Sequence, residues 1–349
     1  MRRLFVKVDD VYIDSLGVFL PEWLSVEQAV ADGILDPEIP KTNGLTGTHA
    51  AGDIPAMDMA VSAARAALER SKLDVDAIDG LVHSAVNYQG PEGCYPPGYI
   101  MRELGIGKVP AQYLRQGCNG MLGALEVAIG QMTGAAEAEA VLLTSGENFT
   151  APGVDRWNDG FGQSHFFSDG GMAVLLSADE GFAQVHSLSS GVLSPLEKWH
   201  RGNGPLLEGN PDETPSMPER AQQFNDTEMP LSEALEKLTL FNLDVIHQSL
   251  VDADLNASDL AKVVMINMDG RMLEYGTMMP LGLPMERSSF DYGRSVGHVG
   301  GADVFISLEH LVRTGEVGAG DNVLLFSQAP GWLCTASVVT VLNPPSWAV

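Results

Sequence analysis

Cys118 sits in the stretch "YLRQGCNGMLGALEVAIGQM", flanked by Gly117 and Gly120 at the entry to a long apolar helix. A buried structural cysteine needs neither glycine, whereas a nucleophile needs access and close backbone approach. His298 stands in a second stretch of the same design, "GHVGGADVFISLEHLVRTG", again just inside a glycine at a helix start. A thiol at a helix N-terminus beside an imidazole is an environment that favours the thiolate and its attack on a carbonyl. A histidine acting as base needs a third group to fix its tautomer and steady its cation. The strand "KVVMINMDG" ends on Asn267 and Asp269, and strand ends in α/β folds point into the ligand crevice. Asp269 is therefore the expected orienting carboxylate, with Asn267 a polar neighbour; a turn-forming Asp before Gly270 is the competing reading.

The elements that must position these residues come in two copies. Residues 59–87 read as a helix, a Leu-Asp-Val-Asp turn and a buried strand, and residues 235–269 repeat that order. Residues 117–147 and 297–331 each read as a Gly-X-X-Gly entry, an apolar helix, a Gly-containing turn and an apolar strand. Leu73 and Leu255 are 182 apart and Cys118 and His298 are 180 apart, so the offsets agree across two elements and indicate an internal duplication. Strands such as "AVLLTS" and "NVLLFSQ" suit sheets covered on both faces, and helices apolar on several sides suit burial between two sheets. The expected architecture is layered α/β with an N-terminal half over 1–180 and a C-terminal half over 181–349, sharing one core. Within the second half, residues 189–226 are rich in Pro, Gly and charge and form an excursion from the repeat. That excursion carries specificity or is plain solvated chain.

Composition removes several function classes. A chain of 349 residues with 45% apolar and 19% charged residues is an ordinary globular one. Its formal charge of −26, from 20 basic and 46 acidic residues, repels phosphate backbones and anionic lipid, so neither nucleic acid nor a membrane is an expected partner. No apolar run reaches the length of a membrane span, and the N-terminus lacks the apolar core of a signal peptide. Cys94, Cys118 and Cys334 are too few and scattered for a disulfide framework or a metal site. No metal is expected, and the compartment expected is reducing and cytoplasmic.

Across nearly its whole length the sequence resembles the thiolase superfamily, in its β-ketoacyl-acyl-carrier-protein synthase III branch. "QGCNGMLGALEVAIGQMTGAAEAEAVLLTSGE" is similar to the nucleophile segment, and "DRWND" followed by "FFSDGGMAVLLS" to the family's Asp-Arg and Phe-Gly-Asp-Gly-Ala-Gly-Ala block. "SVGHVGGADVFISLEHL" takes the place of a Gly-Asn-Thr-Ser-Ala-Ala-Ser segment. The resemblance implies a thiolase fold with five layers, αβαβα, in two duplicated halves. It implies Cys118 as acceptor of an acyl group from a thioester, an oxyanion hole made by the N–H groups of Cys118 and Gly331, and a homodimer. No permanently bound cofactor is implied; the donor substrate is an acyl-coenzyme A or an acyl carrier protein.

The departures from the family set the functional expectation. Condensing members carry a His-Gln-Ala-Asn motif where this chain has "NMDG", and an asparagine where it has His298. The "HQS" at His247 lies upstream in a helix and is a decoy. A carboxylate near a developing enolate opposes its charge, whereas Cys, His and Asp together resemble a hydrolase or acyltransferase triad. The chain is most similar to divergent members that form esters on sugar hydroxyls of glycosylated polyketides in antibiotic pathways. A malonyl group is one implied acyl unit; acetyl and aromatic groups are others. A carbon–carbon condensing or starter-selecting synthase, and a catalytically silent partner subunit, are the alternatives. Arg156 is a candidate donor contact, alongside Arg102, Arg115, Lys198, Arg201 and Arg220, and Trp157, Trp199 and Trp332 are candidates to line an acceptor cleft.

Overall fold

The computed structural model describes residues 5–150, 154–159, 163–204, 206 and 215–348. Residues 1–4 and 349 of the two expected halves, and residues 205 and 207–214 of the excursion 189–226, lie outside the described residues. The strands are β1 (Phe5–Lys7), β2 (Tyr12–Phe19), β3 (Glu22–Ser25), β4 (Gly47–Ala50), β5 (Gly80–Ser84) and β6 (Ala111–Leu114). They continue with β7 (Ala140–Glu147), β8 (Gly170–Ser177), β9 (Ala183–Val192), β10 (Leu260–Val264), β11 (Asn322–Ala329) and β12 (Leu333–Val341). β3 and β4 form a separate hairpin-like pair, and the other ten form one sheet.

That sheet is two half-sheets of the same order. The first runs β6-β5-β7-β8-β2 and the second β10-β11-β12-β9, with β1 on the other edge of β9, and the two join where Tyr12 pairs with Gln184 and Ile13 with Ala183. In each half the first two central strands are parallel and the next pairings antiparallel: β5 with β7 then β7 with β8, and β10 with β11 then β11 with β12. Even β6 has a remnant counterpart, a single parallel bridge between Val263 and Ser288 beside β10. The duplication read from sequence spacing is thus visible as repeated strand order.

Side-chain alternation shows the layers. In β7 and β8, Leu142, Ala173 and Leu175 pack with the outer helix Ala56–Arg70, while Val141, Leu143, Val174 and Leu176 join the central core. In β11, Leu324 and Phe326 pack with the outer helix Leu231–Asp252, while Val323 and Leu325 face the same central core. Strands apolar on both faces can be stable only when both faces are covered. The central layer is the helices Gly120–Met132 and Asp303–Arg313, apolar nearly all round because each lies between two sheets. The result is the five-layered αβαβα thiolase fold, with Cys118 and His298 at the entrances of its two central helices.

Candidate active site

Glycines let the two entrances meet. A Cβ on Gly301 would lie 2.9–3.0 Å from the backbone of Gly120 and Met121, so these helices cross with no room for a side chain. Gly117 and Gly297, one residue before Cys118 and His298, both hold left-handed backbone at φ 54° and 77°, which other residues adopt at a cost. Cys118 lies in the 3-10 turn Gly117–Asn119, half-buried. Asn119 anchors that turn: its Nδ2 donates to Thr335 and Gln116 at 3.0 Å, and its Oδ1 accepts from Ser327 at 2.7 Å.

His298 is pinned by its backbone, donating to Phe166 O at 2.8 Å and accepting from Ser168 N–H at 2.9 Å. Its ring bridges two groups. Nε2 lies 2.9 Å from Cys118 Sγ, and Nδ1 lies 2.5 Å from Oδ2 of Asp303, a wholly buried residue at the start of its helix. Asp303 is itself oriented, its Oδ1 accepting from Val299 N–H at 2.7 Å and its Oδ2 from Asn267 N–H at 2.8 Å. Burial works against the imidazolium, but the charges of Cys118 and Asp303 and hydrogen bonds to both outweigh it and raise His298 well above its ordinary value. An imidazolium held between a carboxylate and a thiol can return its proton to a leaving group.

Asp269 does not serve His298, which corrects the expectation from sequence. Its carboxylate caps the helix Gly270–Leu273 and is held by Arg271, Oδ1 accepting from the backbone N–H at 2.9 Å and Oδ2 from Nη2 at 2.6 Å. The turn-former reading describes it. Asn267 does lie at the site, but its amide donates to Gly297 O at 2.8 Å and its backbone N–H is what reaches Asp303. The sequence signal for Asp303 was a carboxylate five residues after His298. It was masked because acidic residues are common in a first helical turn, where they complement the dipole.

Two further groups at the site carry no signal in the sequence. His165 stacks edge-on against His298 at 4.6 Å between centroids, and burial followed by the charge of His298 pushes it well below its ordinary value. Glu147 at the end of β7 is buried and pushed up to about 8, chiefly by burial, while one oxygen accepts from Val86 N–H at 2.5 Å. A Cβ on Gly300 would lie 3.1 Å from its Cγ, which places this carboxyl behind the paired helix entrances.

A cavity of about 320 Å³ opens onto Cys118, His165 and His298. Trp199 and Trp332 line it, ring centroids 5.0 Å apart, with Trp332 in left-handed backbone at φ 54°. Such a conformation in a bulky residue costs on the order of 1–3 kcal/mol and fixes where the indole lies. Residues 217, 218, 221 and 225 also line the cavity, so the excursion 189–226 forms one of its walls. Trp157 is instead core, packed edge-on to Phe166 at 5.2 Å. Arg156 is likewise structural, its Nη2 on Asp169 at 2.8 Å and its Nη1 on the carbonyls of His49 and Phe167. Gly331 follows β11 with φ 88°, while a Cβ there would approach nothing closer than 3.8 Å; conformation rather than space calls for glycine. His247 is exposed on its helix, and Cys334 is buried, its thiol pushed up by burial. Among the described residues no cluster of His, Cys, Asp or Glu is arranged to hold a metal, and no helix is long and apolar enough to cross a membrane.

Family models described as 3-oxoacyl-[acyl-carrier-protein] synthase III match residues 114–191, and its C-terminal part residues 250–341. The chain is 27% identical over 332 residues to the β-ketoacyl-[acyl-carrier-protein] synthase III of Erythrobacter litoralis, covering 94% of this chain and 98% of that one. Among solved structures, the acyltransferase ChlB3 superposes with a TM-score of 0.91 at 33% identity, covering 97% of this chain and 99% of that one. The synthase III of Aquifex aeolicus shares the fold, with a TM-score of 0.77 at 20% identity and coverage of 95% and 99%. With its fold, its duplicated helix entrances and these relatives in agreement, the chain belongs to the 3-oxoacyl-[acyl-carrier-protein] synthase III-like family of the thiolase superfamily, enzymes that transfer or condense acyl groups.

Proposed function

We propose that this enzyme is an O-acyltransferase that carries its acyl group on Cys118 and delivers it to a hydroxyl as an ester. The observation that carries this reading is the chain of contacts from Cys118 Sγ through His298 to Asp303, at 2.9 and 2.5 Å. The Cys118 thiolate adds to the carbonyl carbon of a coenzyme A or carrier-protein thioester, and the bond to the donor sulfur breaks. His298 gives its Nε2 proton to the departing thiolate, leaving acyl-Cys118 and a neutral imidazole. An acceptor hydroxyl then adds to the same carbon and passes its proton to Nε2. The bond to Cys118 breaks, the ester leaves, and the thiolate and imidazolium are restored. Asp303 holds Nδ1 throughout and steadies the cation. The N–H groups of Cys118 and Gly331 hold the oxyanion in both additions, a role supported by the conformation of the Gly331 turn.

The acceptor is a sugar hydroxyl of a glycosylated polyketide, by likeness to the ester-forming branch. The half-exposed Leu231, Leu235 and Met272 at the cavity offer apolar surface to such a body. The enzyme works as a homodimer that can take its donor from an acyl carrier protein. Carbon–carbon condensation is the second reading, favoured by the name of the curated relatives. Against it, a buried carboxylate tied to the site histidine opposes the enolate that decarboxylation creates. Product analysis separates the two. Incubation with an acyl thioester and a glycosylated acceptor is expected to add one acyl mass in a bond that mild base cleaves; a base-stable, chain-extended product contradicts the proposal.

A further inference from the structure

Asn119 follows the nucleophile directly and is 2% exposed. Its Nδ2 donates to Gln116 Oε1 and to Thr335 Oγ1, and its Oδ1 accepts from Ser327 Oγ. Ser327 and Thr335 are buried, and they stand directly opposite one another in the antiparallel pair of β11 and β12. One side chain of the first half therefore grips both strands of a hairpin that belongs to the second half. Ser327 lies four residues before Gly331 and Thr335 four residues after it. The grip is thus at the neck of the hairpin, and Gly331 is in its tip, between the last paired residues Ala329 and Leu333.

That tip has demanding backbone: Gly331 and Trp332 are both left-handed, and Trp332 N–H donates to Ala329 O at 3.0 Å to close the turn. It also abuts the nucleophile turn, since a Cβ on Gly117 would lie 3.3 Å from Ala329 Cβ. Apolar contact of this kind is non-directional and fixes an approach only loosely. A buried network whose hydrogen bonds have set directions at both ends fixes it closely. An oxyanion hole built from two chain segments needs that closeness, because a displacement of about 1 Å can cost on the order of 10²-fold in rate.

Resting on the oxyanion hole proposed above, we infer that Asn119 is a positioning residue that sets the Gly331 N–H against the Cys118 N–H by clamping Ser327 and Thr335. Its action falls on attack at a carbonyl. The thiolate itself is governed through a separate contact, Cys118 Sγ to His298 Nε2.

The test compares two reactions of the one thiol, both followed by mass of the intact protein. Acylation by acetyl, butanoyl and benzoyl N-acetylcysteamine thioesters passes through an oxyanion. Alkylation by iodoacetamide displaces iodide and forms none. Asn119→Ala strands two buried hydroxyls and can fail to fold, so Ser327→Ala and Thr335→Val carry the test, each with a thermal melt to establish folding. Both are expected to slow acylation at least about tenfold while alkylation stays within about twofold of wild type. Thr335→Ser, which keeps the hydroxyl, is expected to regain most of the acylation rate that Thr335→Val loses. Folded Ser327→Ala and Thr335→Val proteins that acylate at the wild-type rate would overturn the inference, as would acylation and alkylation falling in parallel. A wild-type protein that is alkylated at Cys118 but takes no acyl label overturns the acyl-enzyme reading, and the inference with it.

Discussion

Asp303 and Asp269 are both buried carboxylates near Asn267, beyond the end of β10, and what each one accepts decides its role. The Asp303 carboxylate accepts from Val299 N–H, Asn267 N–H and the His298 ring, whereas among the described residues the Asp269 carboxylate accepts from Arg271 alone. Asp303→Asn is therefore expected to cut acyl transfer by about 10²–10⁴-fold, because an amide cannot hold the right tautomer or the imidazolium. Asp269→Asn is expected to leave transfer within a few-fold of wild type; steady-state transfer assays on both variants check this. Cys118 and His298 were legible in the sequence because the duplication paired them, but Asp303 was not, since nothing in spacing separates a catalytic carboxylate from a helix-capping one. Glu147 titrates at this scale too. Its folded value, about 8, lies above the ordinary 4.5, so the folded chain keeps a proton that the unfolded chain releases. Stability from this site is then greatest below about pH 4.5 and falls as pH rises through about 8. Glu147→Gln is expected to change the melting temperature little at pH 4.5 and to raise it relative to wild type above pH 8, read from thermal melts across pH.

The central helices set the site by how closely their entrances approach. Gly120 and Gly301 meet at a distance that excludes a methyl group, the nearest backbone atoms standing 2.9–3.0 Å from where a Cβ would be. Gly301→Ala must push the two helices apart, at a cost of about 1–3 kcal/mol, and the shift falls on the 2.9 Å Cys118–His298 contact. The expected result is a folded protein with a lower melting temperature and a loss of acylation larger than that drop explains; an unchanged acylation rate contradicts it. Strand and helix order was readable because apolar runs and glycine entries recur at one spacing. The role of residues 189–226 was not readable, because their composition fits a solvated loop as well as a wall. The structure seats Trp199 against Trp332 at 5.0 Å between rings, and with that contact the excursion joins the cavity.

At the scale of the whole molecule, two half-sheets of similar strand order enclose a shared core, and the two copies present different chemistry where their central helices begin. One copy presents a thiol and the other an imidazole backed by a carboxylate. The layered fold was legible in the sequence through its duplication; the cavity above it was not, since it is assembled from residues between 118 and 332 that no local pattern links. The net charge of −26 bears on partners rather than on this centre: a carrier protein that is itself acidic must approach against it, more easily at higher salt. The central claim is that the acyl group rests on Cys118 between donor and acceptor. Intact mass and peptide mapping after exposure to an acyl thioester, followed by a chase with a glycosylated acceptor, test it most directly. The account predicts one acyl mass on the Cys118 peptide, absent in Cys118→Ala and lost to the acceptor as ester during the chase. Transfer at the wild-type rate by Cys118→Ala, or an acyl mass on another residue, would contradict it.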